Sequence, residues 1–166
     1  MLTLGFYQTE TFLTSVLVVD DFQPWHRFIS TTLQKQPELQ VVGQAFDGLQ
    51  AVQQAQQLQP DLILLDIGLP KLNGIEAARR IREVSADSKI LFVSENRSWD
   101  IAEEALRTGA LGYVVKSDAA SELLPAIQAV LQGQQFVSVT LTDAVLSGLT
   151  QPLAERLRTG KAPRRG

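Results

Sequence analysis

The chain has no cysteine, one histidine and one methionine in 166 residues. The missing cysteine removes disulfides, thiolate catalysis and every cysteine-based zinc site. A single His26 cannot build a histidine metal cluster, and it leaves one imidazole for any nucleophilic triad. No apolar run approaches the ~20 residues of a membrane span. The stretch 1–14 has no Lys or Arg, so it lacks the basic start of a secretory leader. These absences point to a cytoplasmic protein with no membrane segment. Glycine-rich phosphate loops of the nucleotide-binding kind are also missing, which removes a nucleotide-dependent kinase.

A hydrophobic fraction of 45% with 20% charged residues is that of a folded chain, and the length suits one domain. The net charge of −3 is unevenly spread. Arg156, Arg158, Lys161, Arg164 and Arg165 lie in the last 14 residues with Glu155 alone against them. The preceding 152 residues therefore carry 17 acids against 10 bases. An acidic body disfavours general nucleic-acid binding. A short basic terminus reads as a solvated tail.

Five short apolar runs punctuate the chain: Val16–Val19, Val41–Val42 with Ala45, Leu62–Leu65, Ile90–Val93 and Tyr113–Val115. Most are continuous rather than alternating, the pattern of strands covered on both faces. Helical stripes lie between them. Phe28, Ile29 and Leu33 mark the first; Ala51, Val52, Ala55 and Leu58 the second, stopped by Pro60. Ile75, Ala78 and Ile81 mark the third, with Asn73 as its N-cap. Ala102, Ala105 and Leu106 lead to Gly109, and Leu123, Ile127, Val130 and Leu131 lead to Gly133. Five strand–helix repeats predict a doubly wound α/β domain with a five-stranded parallel sheet over about 15–133. The predicted organisation is an extension over 1–14, the domain over 15–133, and a tail over 134–166 with a short helix near 139–149.

In an open parallel sheet, ligands bind beyond the carboxyl ends of the strands. Asp20 and Asp21 end the first run, Asp66 the third, Ser94 the fourth and Lys116 the fifth. Singly, these read as a helix cap pair, a turn residue and solvated strand ends. Together they place three carboxylates, a hydroxyl and an ammonium at one edge. Converging carboxylates need a compensating cation. An all-oxygen set without cysteine suits a hard ion, and Mg2+ fits best when a phosphate completes its shell. Lys116 and Ser94 suit phosphoryl oxygens, and a carboxylate beside them can attack phosphorus.

At these residues the sequence resembles the receiver domain (CheY-like) of bacterial two-component response regulators. The stretches that carry the resemblance are Val16–Asp21, Asp61–Pro70 with Asp66 inside it, Asn73–Ile75, Leu91–Ser94 and Gly109–Lys116. The resemblance implies a flavodoxin-like sheet of order 2-1-3-4-5 with helices on both faces. It implies Asp66 as phosphoacceptor from a sensor histidine kinase or phosphotransfer protein. Mg2+ would be held by Asp21, Asp66 and the Gly68 carbonyl, with Asp20 acting through water. Lys116 would pair with the phosphoryl group, Ser94 would hydrogen-bond it, and Tyr113 would be the switch aromatic. The implied role is a phosphorylatable signalling switch rather than a metabolic enzyme, with a homodimer through the fourth helix, fifth strand and fifth helix. An alternative class, a Mg2+-dependent phosphohydrolase, usually carries Asp-x-Asp rather than Asp-Asp with a distant Asp.

Pro70, Gly74 and Leu131–Ser138 lean toward receivers of the NarL/LuxR-type subfamily. Such receivers precede a helix-turn-helix domain, for which the 28 residues after Ser138 are too few. The expectation is therefore no nucleic-acid contact by this chain alone, or a LuxR-type regulator cut short. Glu95, where the family favours a small residue, is a departure; Gly68 and Asn96 sit where the family varies. Trp25 is expected to pack near the start of the first helix, Trp99 to open the fourth, and His26 to lie on the surface.

Overall fold

A computed structural model of the chain describes residues 12–143. The elements run β1 (Thr14–Val19), α1 (Gln23–Gln34), β2 (Leu39–Ala45), α2 (Gly48–Leu58), β3 (Leu62–Leu65), α3 (Gly74–Val84), β4 (Lys89–Ser94), α4 (Trp99–Arg107), β5 (Gly112–Val115), a 3-10 turn over Lys116–Asp118, α5 (Ala119–Leu131) and β6 (Phe136–Val137). The strands form one parallel sheet of order β2-β1-β3-β4-β5-β6. The expected order 2-1-3-4-5 is present. The sheet has six strands rather than five, because the chain leaving α5 turns back against the open edge of β5.

Side chains alternate across each strand, so every central strand feeds two cores. Leu17, Val19, Ile63, Leu65, Phe92 and Tyr113 face one way, against Ala51 and Ala55 of α2, Ile75 and Ile81 of α3, and Ala102 of α4. Val16, Val18, Leu62, Leu64, Leu91 and Val114 face the other, against Ile29 and Leu33 of α1 and Leu123 and Ile127 of α5. This two-sided burial is why the runs are continuously apolar. Asp47 caps α2 by accepting from the Gln50 amide at 2.7 Å, and Asn73 caps α3 by accepting from Glu76 at 3.0 Å. Gly109 (φ +95°) and Gly133 (φ +78°) follow α4 and α5 in the left-handed region, where glycine carries no Cβ penalty.

The body continues past residue 133. The Phe136 amide donates to the Leu111 carbonyl, and Ser138 N–H to the Tyr113 carbonyl. The buried Ser138 hydroxyl accepts from Val115 N–H at 2.8 Å and donates to Glu122. Thr140 donates to Asp118 at 2.6 Å. Residues 139–143 are helical, and Leu141 is fully buried in the same core as Tyr113. The rest of the helix expected near 139–149, the basic tail and residues 1–11 lie outside the described residues. Among the described residues no helix is long and apolar enough to cross a membrane.

Candidate phosphoacceptor site

Because the strands are parallel, their carboxyl ends share one edge, and the polar residues that follow them converge there. Asp20 and Asp21 follow β1, Asp66 follows β3, Ser94 ends β4 and Lys116 follows β5. Asp20, Asp21 and Asp66 each present a carboxylate oxygen, all within 4.8 Å of one another. Lys116 Nζ lies 2.6 Å from Asp20 Oδ2 and 3.3 Å from Asp66 Oδ2. Asp20 is fully buried, Asp66 nearly so, and Asp21 is exposed. Asp20 Oδ1 accepts from Phe22 N–H at 2.8 Å, and Asp66 Oδ1 from Ile67 N–H at 2.7 Å. Above them opens a cleft of about 630 Å³ with Asp21, Asp66, Gly68, Ser94, Glu95 and Lys116 in its walls.

The site's chemistry follows from this charge balance. Burial holds the Asp66 carboxyl above the ordinary range; the Lys116 ammonium opposes that rise and the Asp20 charge adds to it. Burial alone would pull Lys116 down, but the hydrogen bond and charge of Asp20 and the charge of Asp66 outweigh it, and the ammonium sits above its usual range. One ammonium shared by two buried carboxylates leaves net negative charge. Three carboxylates without cysteine fit a hard divalent cation such as Mg2+.

The raised Asp66 value means that its contribution to stability is full below the ordinary carboxylate range and is lost as pH rises through the raised value. Asp66→Asn removes an ionised carboxylate that the folded state holds unfavourably. In metal-free buffer the variant should melt higher than wild type at pH 7, and the gain should vanish below about pH 4. Melting curves at both pH values check this; a variant less stable at pH 7 would contradict the assigned balance.

Ser94 is buried, and its Oγ accepts from Asn96 N–H at 3.2 Å. Tyr113 is fully buried, its hydroxyl donating to the Asn96 carbonyl at 2.8 Å, so its ring already points inward. Burial pushes the Tyr113 phenol up, with the Ser94 hydroxyl opposing, so it stays protonated and able to donate at neutral pH. Gly68 lies at the mouth, where an added Cβ would meet nothing within 4 Å. Glu95 is exposed at the rim.

His26 corrects the surface position expected for it. It is 1% exposed, and its ring packs on Phe46 at 4.5 Å. Nε2 lies 2.7 Å from the Asp20 carbonyl oxygen. A carbonyl cannot donate, so Nε2 carries the proton. The α1 stripe already held the signal: His26, Ile29 and Leu33 fall on one helical face, and all three are buried. Trp25 packs near the start of α1, as expected. It packs on Phe28 at 4.9 Å, and its ring centroid also lies 4.9 Å from Lys116 Nζ.

Residues 16–128 match the family model described as the response regulator receiver domain. The transcriptional regulatory protein DegU of Brevibacillus brevis is 34% identical over 131 residues, covering 79% of this chain and 56% of that protein. The nitrate/nitrite response regulator protein NarL of Escherichia coli K12 is 32% identical over 135 residues, covering 81% of this chain and 62% of that one. The chain thus spans less than two thirds of the length of these relatives. A crystal structure of a LuxR-family two-component response regulator from Aurantimonas sp. SI85-9A1 superposes with a TM-score of 0.78 at 29% identity, covering 83% of this chain and 99% of that one. The matched region contains Asp20, Asp21, Asp66, Ser94 and Lys116. The chain belongs to the receiver domain family of two-component response regulators, among relatives of the NarL/LuxR type.

Proposed function

We propose that Asp66 is the phosphoacceptor of a signalling switch. The observation that carries this reading is the convergence of Asp20, Asp21 and Asp66 with Lys116 paired to two of them. An Asp66 carboxylate oxygen attacks the phosphorus of a phosphohistidine on a sensor histidine kinase or phosphotransfer protein. The new O–P bond forms as the P–N bond breaks, and the electron pair leaves on the imidazole nitrogen. Asp21, Asp66 and the Gly68 carbonyl would hold Mg2+. Asp20, with one oxygen on Phe22 N–H and the other at Lys116, would reach it through water. The ion, when bound, neutralises charge on the transferring group. Lys116 pairs with the phosphoryl oxygens, and Ser94 donates its hydroxyl to them.

Tyr113 reports the phosphorylated state from behind Ser94, since both meet the Asn96 backbone. A second copy of the chain pairs through the face of α4, β5 and α5. In this chain β6 covers the edge of β5, so that face is bordered by Phe136 and Val137.

Incubation with a small acyl-phosphate donor and Mg2+, followed by intact-mass measurement, tests the reading. Wild type should gain one phosphoryl group; Asp66→Asn should gain none, and a chelator should abolish the gain. Size-exclusion chromatography of the same samples reads the pairing. An adduct that survives in Asp66→Asn, or no adduct on wild type, would overturn the assignment of Asp66.

A further inference from the structure

We propose that Trp25 is a positioning residue for Lys116, its indole face holding the ammonium in place over the phosphoacceptor. This rests on the reading of Asp66 above and adds a group outside that residue set.

Lys116 carries a long, flexible stem, yet its side chain is only 11% exposed. Its ammonium has therefore given up most of its water. Two carboxylate oxygens replace part of it, Asp20 Oδ2 at 2.6 Å and Asp66 Oδ2 at 3.3 Å. The contacts are unequal, and the closer one draws the ammonium toward Asp20 and away from the residue it has to serve. The indole of Trp25 stands 4.9 Å from Nζ, within the range where the negative face of an aromatic ring attracts a cation.

Trp25 is suited to the task because it is itself fixed. It sits in the first turn of α1 directly after Pro24, which sets the backbone there, and its ring packs on Phe28. The same turn donates Phe22 N–H and His26 Nε2–H to Asp20. One helix start thus fixes Asp20 and flanks Lys116 together.

A second cleft, of about 410 Å³, adjoins the first and also reaches Lys116. Trp25, Phe22, Glu95, Arg97 and Ser117 are in its walls. Without the indole, this cleft would offer the ammonium another resting place on the side where Glu95 supplies a competing carboxylate. The indole forms one wall of this cleft, and its attraction for Nζ favours the Asp20–Asp66 side over that alternative.

The test uses the full chain, a small acyl-phosphate donor and Mg2+, so that partner docking does not enter. Trp25→Leu should be phosphorylated about fivefold more slowly, whereas Trp25→Phe, which keeps an aromatic face, should stay within about twofold of wild type. In a Lys116→Met background, Trp25→Leu should have no further effect. In NMR spectra the Lys116 ε-methylene protons should be shifted upfield by the indole in wild type and return in Trp25→Leu. Wild-type rates in Trp25→Leu, or an equal slowing with and without Lys116, would overturn the proposal while leaving Asp66 as phosphoacceptor. A wild type that takes no phosphoryl group would overturn the reading of Asp66. In that case the ε-methylene shift still decides the contact, and its absence in wild type overturns it.

Discussion

Lys116→Met should cost the metal-free protein about 3 kcal/mol of stability at pH 7. Asp20 is fully buried and Asp66 nearly so, and one largely buried ammonium faces both. Methionine keeps most of the stem's apolar contact, so the loss isolates the charge. Two carboxylates then face each other without a cation, and one must take up a proton or the strand ends must splay. Either route costs free energy at neutral pH. The cost should fade below about pH 4, where carboxylates are protonated in the unfolded chain as well. A divalent cation should restore much of the loss, because it supplies the missing charge to the same oxygens. Urea titrations at pH 7 with and without Mg2+, and at low pH, check all three statements. A variant as stable as wild type in metal-free buffer would show that the carboxylates do not depend on Lys116. Phosphorylation should fall at least about tenfold even with Mg2+ present, since the charge on the transferring group loses one of its two cations.

Gly74→Ala should be of similar size for a different reason. A Cβ at position 74 would lie 1.9 Å from the Asp66 carbonyl oxygen and 2.8 Å from both the Asp66 carbonyl carbon and Ile67 Cα. All of these are backbone atoms, so no side chain can swing aside. Gly74 N–H also donates to the Ile67 carbonyl at 2.8 Å, which pins the start of α3 to the loop after β3. The glycine is there for space, allowing helix and loop to approach within backbone contact. The expected cost is about 3 kcal/mol. The loop that must yield carries Asp66, so the phosphorylation rate should drop as well. Gly68→Ala is the control: with nothing within 4 Å of the new Cβ, its stability should match wild type. Chemical denaturation of both variants separates the outcomes, and a Gly74→Ala protein of wild-type stability would contradict the contact.

Some of this was legible in the sequence because the physics is local or periodic. The continuous apolar runs announced strands covered on both faces, and Asn73 and Gly109 announced a helix start and a helix end. The site was legible because parallel topology brings the ends of four strands, β1, β3, β4 and β5, to one edge, so Asp20, Asp21, Asp66, Ser94 and Lys116 needed only the strand assignments. Contacts that cross between elements were not legible. Trp25 lies over Lys116 across 91 residues of chain, and no spacing rule links them. β6 is two residues long, too short for any periodicity, and exists because Phe136 and Val137 meet the open edge of β5. His26 is intermediate: its stripe position was readable, but a polar residue on an apolar stripe gives no hint that its partner is a backbone carbonyl.

The way the chain is fastened after α5 has a mechanical consequence. Tension on the polypeptide beyond residue 143 would not reach the sheet evenly. It would first load Leu141 and the hydrogen bonds of Ser138 to Val115 and Glu122, then the short β6 ladder. Those fastenings border Tyr113, whose ring shares a core with Leu141 and whose carbonyl receives the Ser138 amide. A pull from that end therefore reaches Tyr113, the residue behind Ser94, through Leu141 and Ser138.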